Sequence, residues 1–282
     1  AGIVLAQGLM VTADPSGYVL FVIPSILVSI AITPILLSIS PTPAFDTTKA
    51  MSLRELMGFS PLGCVGMFLL GGVFSAQFGM ASVYGTEAGL TVGEISIFVA
   101  TIFIGGMLTQ YPLGWLSDRM DRRALIALTA AVGAVGASIG VMSNGDFNLI
   151  LVAAFLMGST SNPLYSLLLA YTNDFLDHED MAAGSGGMIF LNGLGAVSGP
   201  LITGWMMSVF GPSGFYILIG VLFTMLAIYA VYRATQRPAI PVDETGSFVA
   251  MSQSAMTPVA MEIAQEYAIE TDLEEENEIS AE

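Results

Sequence analysis

Two long runs without a charged residue constrain the fold of this chain more than any other feature. Residues 95–113 and 124–143 contain no Asp, Glu, Lys or Arg, and each is close to the roughly 20 residues that an α-helix needs to cross a bilayer. Charged residues make up only 11% of the chain, far below the ~25% of ordinary soluble domains. Closed barrels would instead show alternating strands of about ten residues. We therefore predict an all-α fold, a polytopic membrane helical bundle.

Apolar runs of spanning length recur along the rest of the chain. We predict complete spans at residues 18–39, 62–84, 95–113, 124–143, 147–171, 181–210 and 215–232. Residues 1–12 are apolar but too short to span, so we expect them to be the end of a helix that begins upstream. The prediction is seven complete spans plus a remnant.

The basic residues all fall on one side of this topology. The side is formed by the loops at 40–60, 117–123 and 173–180 and by the tail, and its basic residues are Lys49, Arg54, Arg119, Arg122, Arg123, Arg233 and Arg237. The positive-inside rule makes this side, and with it the C-terminus, cytoplasmic. Eleven of the 23 acidic residues follow Arg237, so the tail carries −11 of the formal charge of −16. This acidity predicts a solvated tail and argues against nucleic acid as a partner.

A short repeat indicates an internal duplication. The sequence Pro-Ser-Gly-Tyr at 15–18 recurs as Pro-Ser-Gly-Phe at 212–215, an offset of 197 residues. Both copies end one apolar run and open another. Many transporters are built from parallel repeats of six spans, and counting with this repeat makes the remnant the fifth span and the last span the twelfth.

The charged hairpin at 114–123 reads Gly-Trp-Leu-Ser-Asp-Arg-Met-Asp-Arg-Arg. It resembles the motif that joins the second and third spans of a six-span half in the major facilitator superfamily. Asp121 stands where the general pattern favours glycine, so we expect side-chain hydrogen bonds to hold the turn. The runs at 163–166, 173–174 and 193–200 are similar to the YcaD-type branch of that superfamily. The resemblance implies the C-terminal half of a twelve-span major facilitator fold, with the first four spans missing.

The resemblance also implies roles for particular residues. The implied gating motif contains Gly114, Asp118, Arg119, Arg122 and Arg123. A charge near a helix end can pair with a neighbouring helix terminus, so Asp118 is expected to close the cytoplasmic side, either against such a terminus or with Arg122. The alternative is that these charges only set the topology. The implied helix-packing and hinge residues are Gly195, Gly199, Pro200 and Gly204.

Polar residues inside the spans are the candidates for binding a solute. They are Gln77, Tyr84, Gln110, Asn162, Tyr165 and Asn192, and ordinary hydrogen bonding between helices is the alternative for each. One cysteine and one histidine provide neither a disulfide framework nor a nucleophile with its base, and no nucleotide-binding fingerprint is present. The sequence therefore predicts no metal, no cofactor and no enzymatic activity.

These observations predict a secondary active transporter that moves a small solute across the bacterial inner membrane by alternating access. Residues 1–39 would complete spans five and six, 40–60 form the central cytoplasmic loop, 61–237 form a six-span bundle, and 238–282 form the acidic tail with a short amphipathic helix after Thr257. The expected partners are the lipid bilayer, a small-molecule substrate and the missing N-terminal half. The coupling ion is left open, with a proton as one candidate. The alternatives are a half-size transporter that dimerises and a non-transporting scaffold or sensor that signals through its tail.

Overall fold

The computed structural model describes residues 6–8, 17–37, 51–236 and Phe248. Its helices are α1 Val19–Leu37, α2 Leu53–Phe59, α3 Pro61–Ser75, α4 Ala81–Glu87, α5 Val92–Ser117, α6 Arg122–Met142, α7 Phe147–Asn173, α8 His178–Phe210 and α9 Gly214–Ala234. A π-helical turn, Ala76–Met80, joins α3 to α4, and a 3₁₀ turn, Gly211–Ser213, joins α8 to α9. These described residues contain helices and no strand, which confirms the all-α fold.

The helices are long and apolar enough to confirm a polytopic membrane bundle. Segments of spanning length are Pro61–Glu87, Val92–Ser117, Arg122–Met142, Phe147–Asn173 and Asp180–Ala234. The last of these, 55 residues long, contains both α8 and α9. In α1 the apolar segment Val19–Ala31 is shorter than these segments of spanning length. Every predicted complete span coincides with helical structure over its described residues. Outside the described residues lie the predicted remnant apart from residues 6–8, the end of the first span at 38–39, loop residues 40–50 and the predicted tail helix.

Part of the predicted connection at 40–60 is helical. Ser52 caps α2 through a capping box, in which its hydroxyl accepts from the Glu55 backbone N–H and the Glu55 carboxylate accepts from the Ser52 backbone N–H. The same arrangement at Thr91 and Glu94 begins α5. Because such a box satisfies backbone donors that a helix start leaves unpaired, a polar segment can begin a helix without an apolar run.

The packing of the long helices follows a pattern of exchange. Six helices form two groups of three, α3–α5–α6 and α7–α8–α9. The first helix of each group packs on the second helix of the other group, so α3 lies against α8 and α7 lies against α5. The third helices, α6 and α9, pack on one another. The two groups, α3–α5–α6 and α7–α8–α9, start from opposite ends of the bundle. Inverted groups of three helices are the building plan of each six-span half in major facilitator transporters. The described side chains of α1 are mostly exposed, with Phe21 at 72%, so α1 is outside this bundle.

Small residues let the paired helices approach closely. In the α5–α7 pair, a Cβ at Gly158 would overlap the Ile102 carbonyl oxygen, and one at Gly106 would overlap the Asn162 side chain. Backbones that meet in this way depend on glycine for their spacing, as is common between membrane helices.

Two of the glycines predicted to pack α8 lie in such contacts. A Cβ at Gly195 would overlap the Phe68 carbonyl oxygen, and one at Gly199 would overlap the Ser75 hydroxyl. Gly204 leaves ordinary space, since its Cβ would lie 3.9 Å from the Met80 methyl group. Helix α8 continues through Pro200. Hinge motion at these residues stays a prediction.

Candidate functional site

The turn between α5 and α6 is held by side-chain hydrogen bonds from Asp121. Its carboxylate accepts from the backbone N–H of Arg123 at 3.0 Å and from the Arg123 guanidinium at 3.0 and 2.9 Å. Asp121 has a φ of −55°, outside the left-handed region in which glycine is favoured. As expected from the sequence, side-chain hydrogen bonds hold this turn, and no glycine conformation is needed at position 121.

The environment of Asp121 also changes its acidity. Partial burial by itself raises the pKa of the carboxyl, but the hydrogen bonds and charge of Arg123 outweigh it and lower the pKa below its ordinary value. The carboxylate is therefore ionised throughout the physiological range, in the form that accepts both guanidinium hydrogen bonds.

Arg122 is the centre of a buried ionic cluster at the end of the bundle that carries the hairpin. Its guanidinium donates to the Asp174 carboxylate at 2.5 Å and to the Ser117 hydroxyl at 3.1 Å. Both charged side chains are only 3% exposed. Ser117 is the last residue of α5, Arg122 the first of α6, and Asp174 the C-cap of α7. One guanidinium therefore connects the ends of these helices.

Asp118 lies at the outer rim of this cluster. Its carboxylate is 3.5 Å from the Arg122 guanidinium, and its side chain is 39% exposed. The same carboxylate oxygen accepts from the backbone N–H of Phe248 at 3.1 Å. A Cβ at Gly114 would meet the Phe248 ring at 2.5 Å. The predicted Asp118–Arg122 pair is present, but it is longer and more exposed than the Arg122–Asp174 pair.

Arg119 makes only local contacts among those described. Its guanidinium carbon lies 4.3 Å from the centroid of the Trp115 ring, and it donates to the Trp115 carbonyl at 3.1 Å. This stacking keeps the Arg119 charge at the helix end and outside the buried cluster.

Two of the residues predicted to bind solute have no hydrogen-bond partner among the described residues. Gln77 is 1% exposed, and neither its amide nitrogen nor its amide oxygen is paired. Tyr165 is fully buried with an unpaired hydroxyl. Ser161, one helical turn before Tyr165 in α7 and not among the predictions, is a third buried and unpaired group. Such orphaned groups are rare in packed proteins and call for an explanation.

The other predicted solute contacts are engaged by the protein itself or lie apart. Gln110 donates to the Ser166 hydroxyl at 3.2 Å across the α5–α7 contact, and Asn192 donates to the Met67 carbonyl at 3.2 Å. Asn162 lies against Gly106 in the same α5–α7 contact. Tyr84 lies near the opposite end of the bundle from the hairpin, in a ring cluster with Phe215, whose centroid is 4.9 Å away.

Asp174, which provides the closest carboxylate to Arg122, was not among the residues predicted to act at the hairpin. A signal was available, because the loop at 173–180 is on the same predicted side as the hairpin. The described part of the chain contains no group of three or more His, Cys, Asp and Glu residues that could hold a metal ion.

The fold and the charged hairpin define a polytopic membrane protein of the transporter type. The sequence model of the Major Facilitator Superfamily matches residues 63–260, and the chain belongs to this family. The "Uncharacterized MFS-type transporter YcaD" of Escherichia coli strain K12 / DH10B and that of strain O157:H7 EC4115 are each 23% identical to it over 193 residues, which are 68% of this chain and 49% of theirs. The chain thus spans about half the length of the curated relatives it matches.

Proposed function

We propose that this chain contains the C-terminal six-span half, together with span six and part of span five, of a secondary active transporter that moves a small solute across the bacterial inner membrane by alternating access. Family membership supports transport, and the match to about half the length of the relatives supports further N-terminal spans, about four by the count above, as the partner. The observation that carries the mechanism is the contrast between the two ends of α7. Its cytoplasmic end is tied to the hairpin by the buried Arg122–Asp174 pair, whereas its middle carries buried polar groups without partners.

In this proposal the hairpin stabilises the state that is closed to the cytoplasm. The buried pair keeps α5, α6 and α7 together as one unit, and the exposed Asp118 is the contact that forms and breaks. Exposed pairs contribute about 1 kcal/mol or less, enough to bias an equilibrium between states without locking it. The hydrogen bond from Phe248 to Asp118 supports a cytoplasmic C-terminus, because it brings this tail residue to the end that carries the basic hairpin.

The experiment compares Asp118→Asn with Glu87→Gln in cells that express the full-length protein. Both changes neutralise an exposed acid, one at the hairpin and one at the opposite end of the bundle. Transport of a panel of labelled solutes and the amount of protein inserted in the membrane are measured together. We expect Asp118→Asn to lower the transport rate several-fold at equal insertion and Glu87→Gln to leave it unchanged. Equal transport by both variants would reject the gating role.

Removal of residues 239–282 separates the proposal from a scaffold that signals through its tail. Transport that survives the truncation rejects the scaffold function. The transport proposal is rejected if the truncated protein no longer binds a partner protein and the intact protein transports no solute. Chemical cross-linking of the intact protein tests the half-size alternative, which requires two copies in the transporting unit.

A further inference from the structure

We propose, resting on the transport function above, that the solute is a neutral, flat aromatic molecule with an amide-like hydrogen-bonding group, and that it binds at the π-helical turn that joins α3 to α4, on the side that faces α7. The turn Ala76–Met80 interrupts the helix and holds Gln77. Single π-helical turns inside α-helices occur frequently at functional sites. Gln77 presents one amide acceptor and two N–H donors there, none of them bonded to the described protein.

The register of α3 against α7 brings the unpaired groups to one level. The two helices run in opposite directions, and Ser60 meets Thr172 at 3.1 Å near the cytoplasmic end. Further along, the rings of Phe74 and Tyr165 lie with centroids 6.4 Å apart. The next turn of each helix carries Gln77 and Ser161, so these side chains and the Tyr165 hydroxyl lie at about one level in the middle of the bundle, although none of them is bonded to another.

Aromatic rings extend from the level of Gln77 to the surface of the bundle. Phe74 is fully buried and stacks on Phe78, with ring centroids 5.5 Å apart and planes 12° from parallel. Phe78 is 42% exposed and stacks on Phe103 of α5 at 5.2 Å. A row of near-parallel rings whose middle ring, Phe78, is partly exposed offers an aromatic surface to a flat aromatic molecule. Such a molecule would reach Gln77 by following the stack inward.

The charge of the solute follows from the charges that the bundle lacks at this level. Every Asp, Glu and Arg between residues 61 and 234 lies in a connection or within a turn or so of a helix end. A charged solute at Gln77 would therefore find no opposite charge in the described part of the bundle. An unpaired ion in a dry interior is strongly disfavoured, whereas an amide group can pair with the Gln77 amide and satisfy donor and acceptor together.

The test uses three probes that share a flat shape and differ in charge: benzamide, benzoate and benzamidine. Their binding to the purified full-length protein in lipid nanodiscs is measured by equilibrium dialysis up to millimolar concentrations. We expect benzamide to bind at least roughly tenfold more tightly than either benzoate or benzamidine. Each of these two ions would bring a charge to the Gln77 amide that no opposite charge in the described part of the bundle compensates. Equal or tighter binding of an ion, or no binding of any probe, overturns the proposal.

Variants locate the bound probe. Gln77→Leu and Tyr165→Phe are compared with Gln236→Leu and Tyr232→Phe, which make the same changes at exposed positions near the end of α9. We expect Gln77→Leu to weaken benzamide binding by roughly threefold to tenfold per hydrogen bond lost, while it raises the unfolding temperature because two buried unpaired atoms are removed. Binding unchanged in Gln77→Leu overturns the assignment of the site.

The two proposals fail in different ways. If an ion binds more tightly than benzamide while transport depends on Asp118, the proposed substrate class is rejected and the transport function is supported. Selective benzamide binding that no vesicle experiment converts into movement across the membrane removes the transport function and keeps the site.

Discussion

Replacement of Asp174 by Asn tests how the hairpin end of the bundle is stabilised. The side chains of Asp174 and Arg122 are each 3% exposed, and a carboxylate oxygen of Asp174 lies 2.5 Å from a guanidinium nitrogen of Arg122. Asp174→Asn takes the closest carboxylate away from the Arg122 guanidinium, and removal of one partner of a buried pair costs about 3–5 kcal/mol. The same change at Asp118, which is 39% exposed and 3.5 Å from Arg122, should cost less than about 1 kcal/mol.

The assay is thermal unfolding of the purified protein in detergent. For a chain of this size about 1 kcal/mol shifts the unfolding temperature by roughly 2–4 °C, so we expect Asp174→Asn to lower it by about 10 °C and Asp118→Asn by only about 2 °C. A double variant, Arg122→Met with Asp174→Leu, should recover most of the loss, because an apolar pair replaces a buried ion pair at little cost. If Asp174→Asn proves no more destabilising than Asp118→Asn, the buried pair does not hold these helix ends together.

Two further predictions concern helix packing and pH. Gly158→Ala places a methyl group against the Ile102 carbonyl and should destabilise the α5–α7 contact by about 1–3 kcal/mol; Gly186→Ala in α8, whose Cβ would meet nothing within 4 Å, should be neutral or slightly stabilising in the same unfolding assay. Because the pKa of Asp121 is lowered in the folded protein, its contribution is present above the unfolded-state pKa and is lost as the pH falls through the lowered one. The unfolding temperature should therefore fall more steeply in acid for the natural protein than for Asp121→Asn, and identical pH profiles would contradict this account.

The fold was largely predictable because its main signals are local. A run of about 20 apolar residues is enough to specify a spanning helix, and the runs at 95–113 and 124–143 both became helices that continue to the hairpin between them. The capping residues around α2 were less apparent, because a capping box needs only two polar side chains and gives no apolar run.

The site was less predictable, because pairing depends on the register of helices that are far apart in sequence. Gln77, Gln110 and Asn192 look alike in the sequence, yet the structure pairs Gln110 with Ser166 and Asn192 with a carbonyl, and leaves the Gln77 amide unpaired. Likewise, Arg122 has an acid four residues before it, but its closest carboxylate comes from Asp174, 52 positions further along the chain. Neither the π-helical turn at Ala76–Met80 nor the contact of Phe248 with the hairpin has a sequence signal that we could name.

Alternating access is the central claim, and thiol labelling at position 161 tests it most directly. Cys64 is the only cysteine in these 282 residues and is buried. Ser161→Cys is therefore made in the full-length protein after Cys64, and every cysteine outside these 282 residues, has been replaced by serine, so that the single thiol lies at the level of Gln77. A membrane-impermeant thiol reagent is added to sealed vesicles from one side at a time. Alternating access predicts labelling from each side, and slower labelling from both when benzamide is present. Labelling from one side only, or from neither, would contradict it.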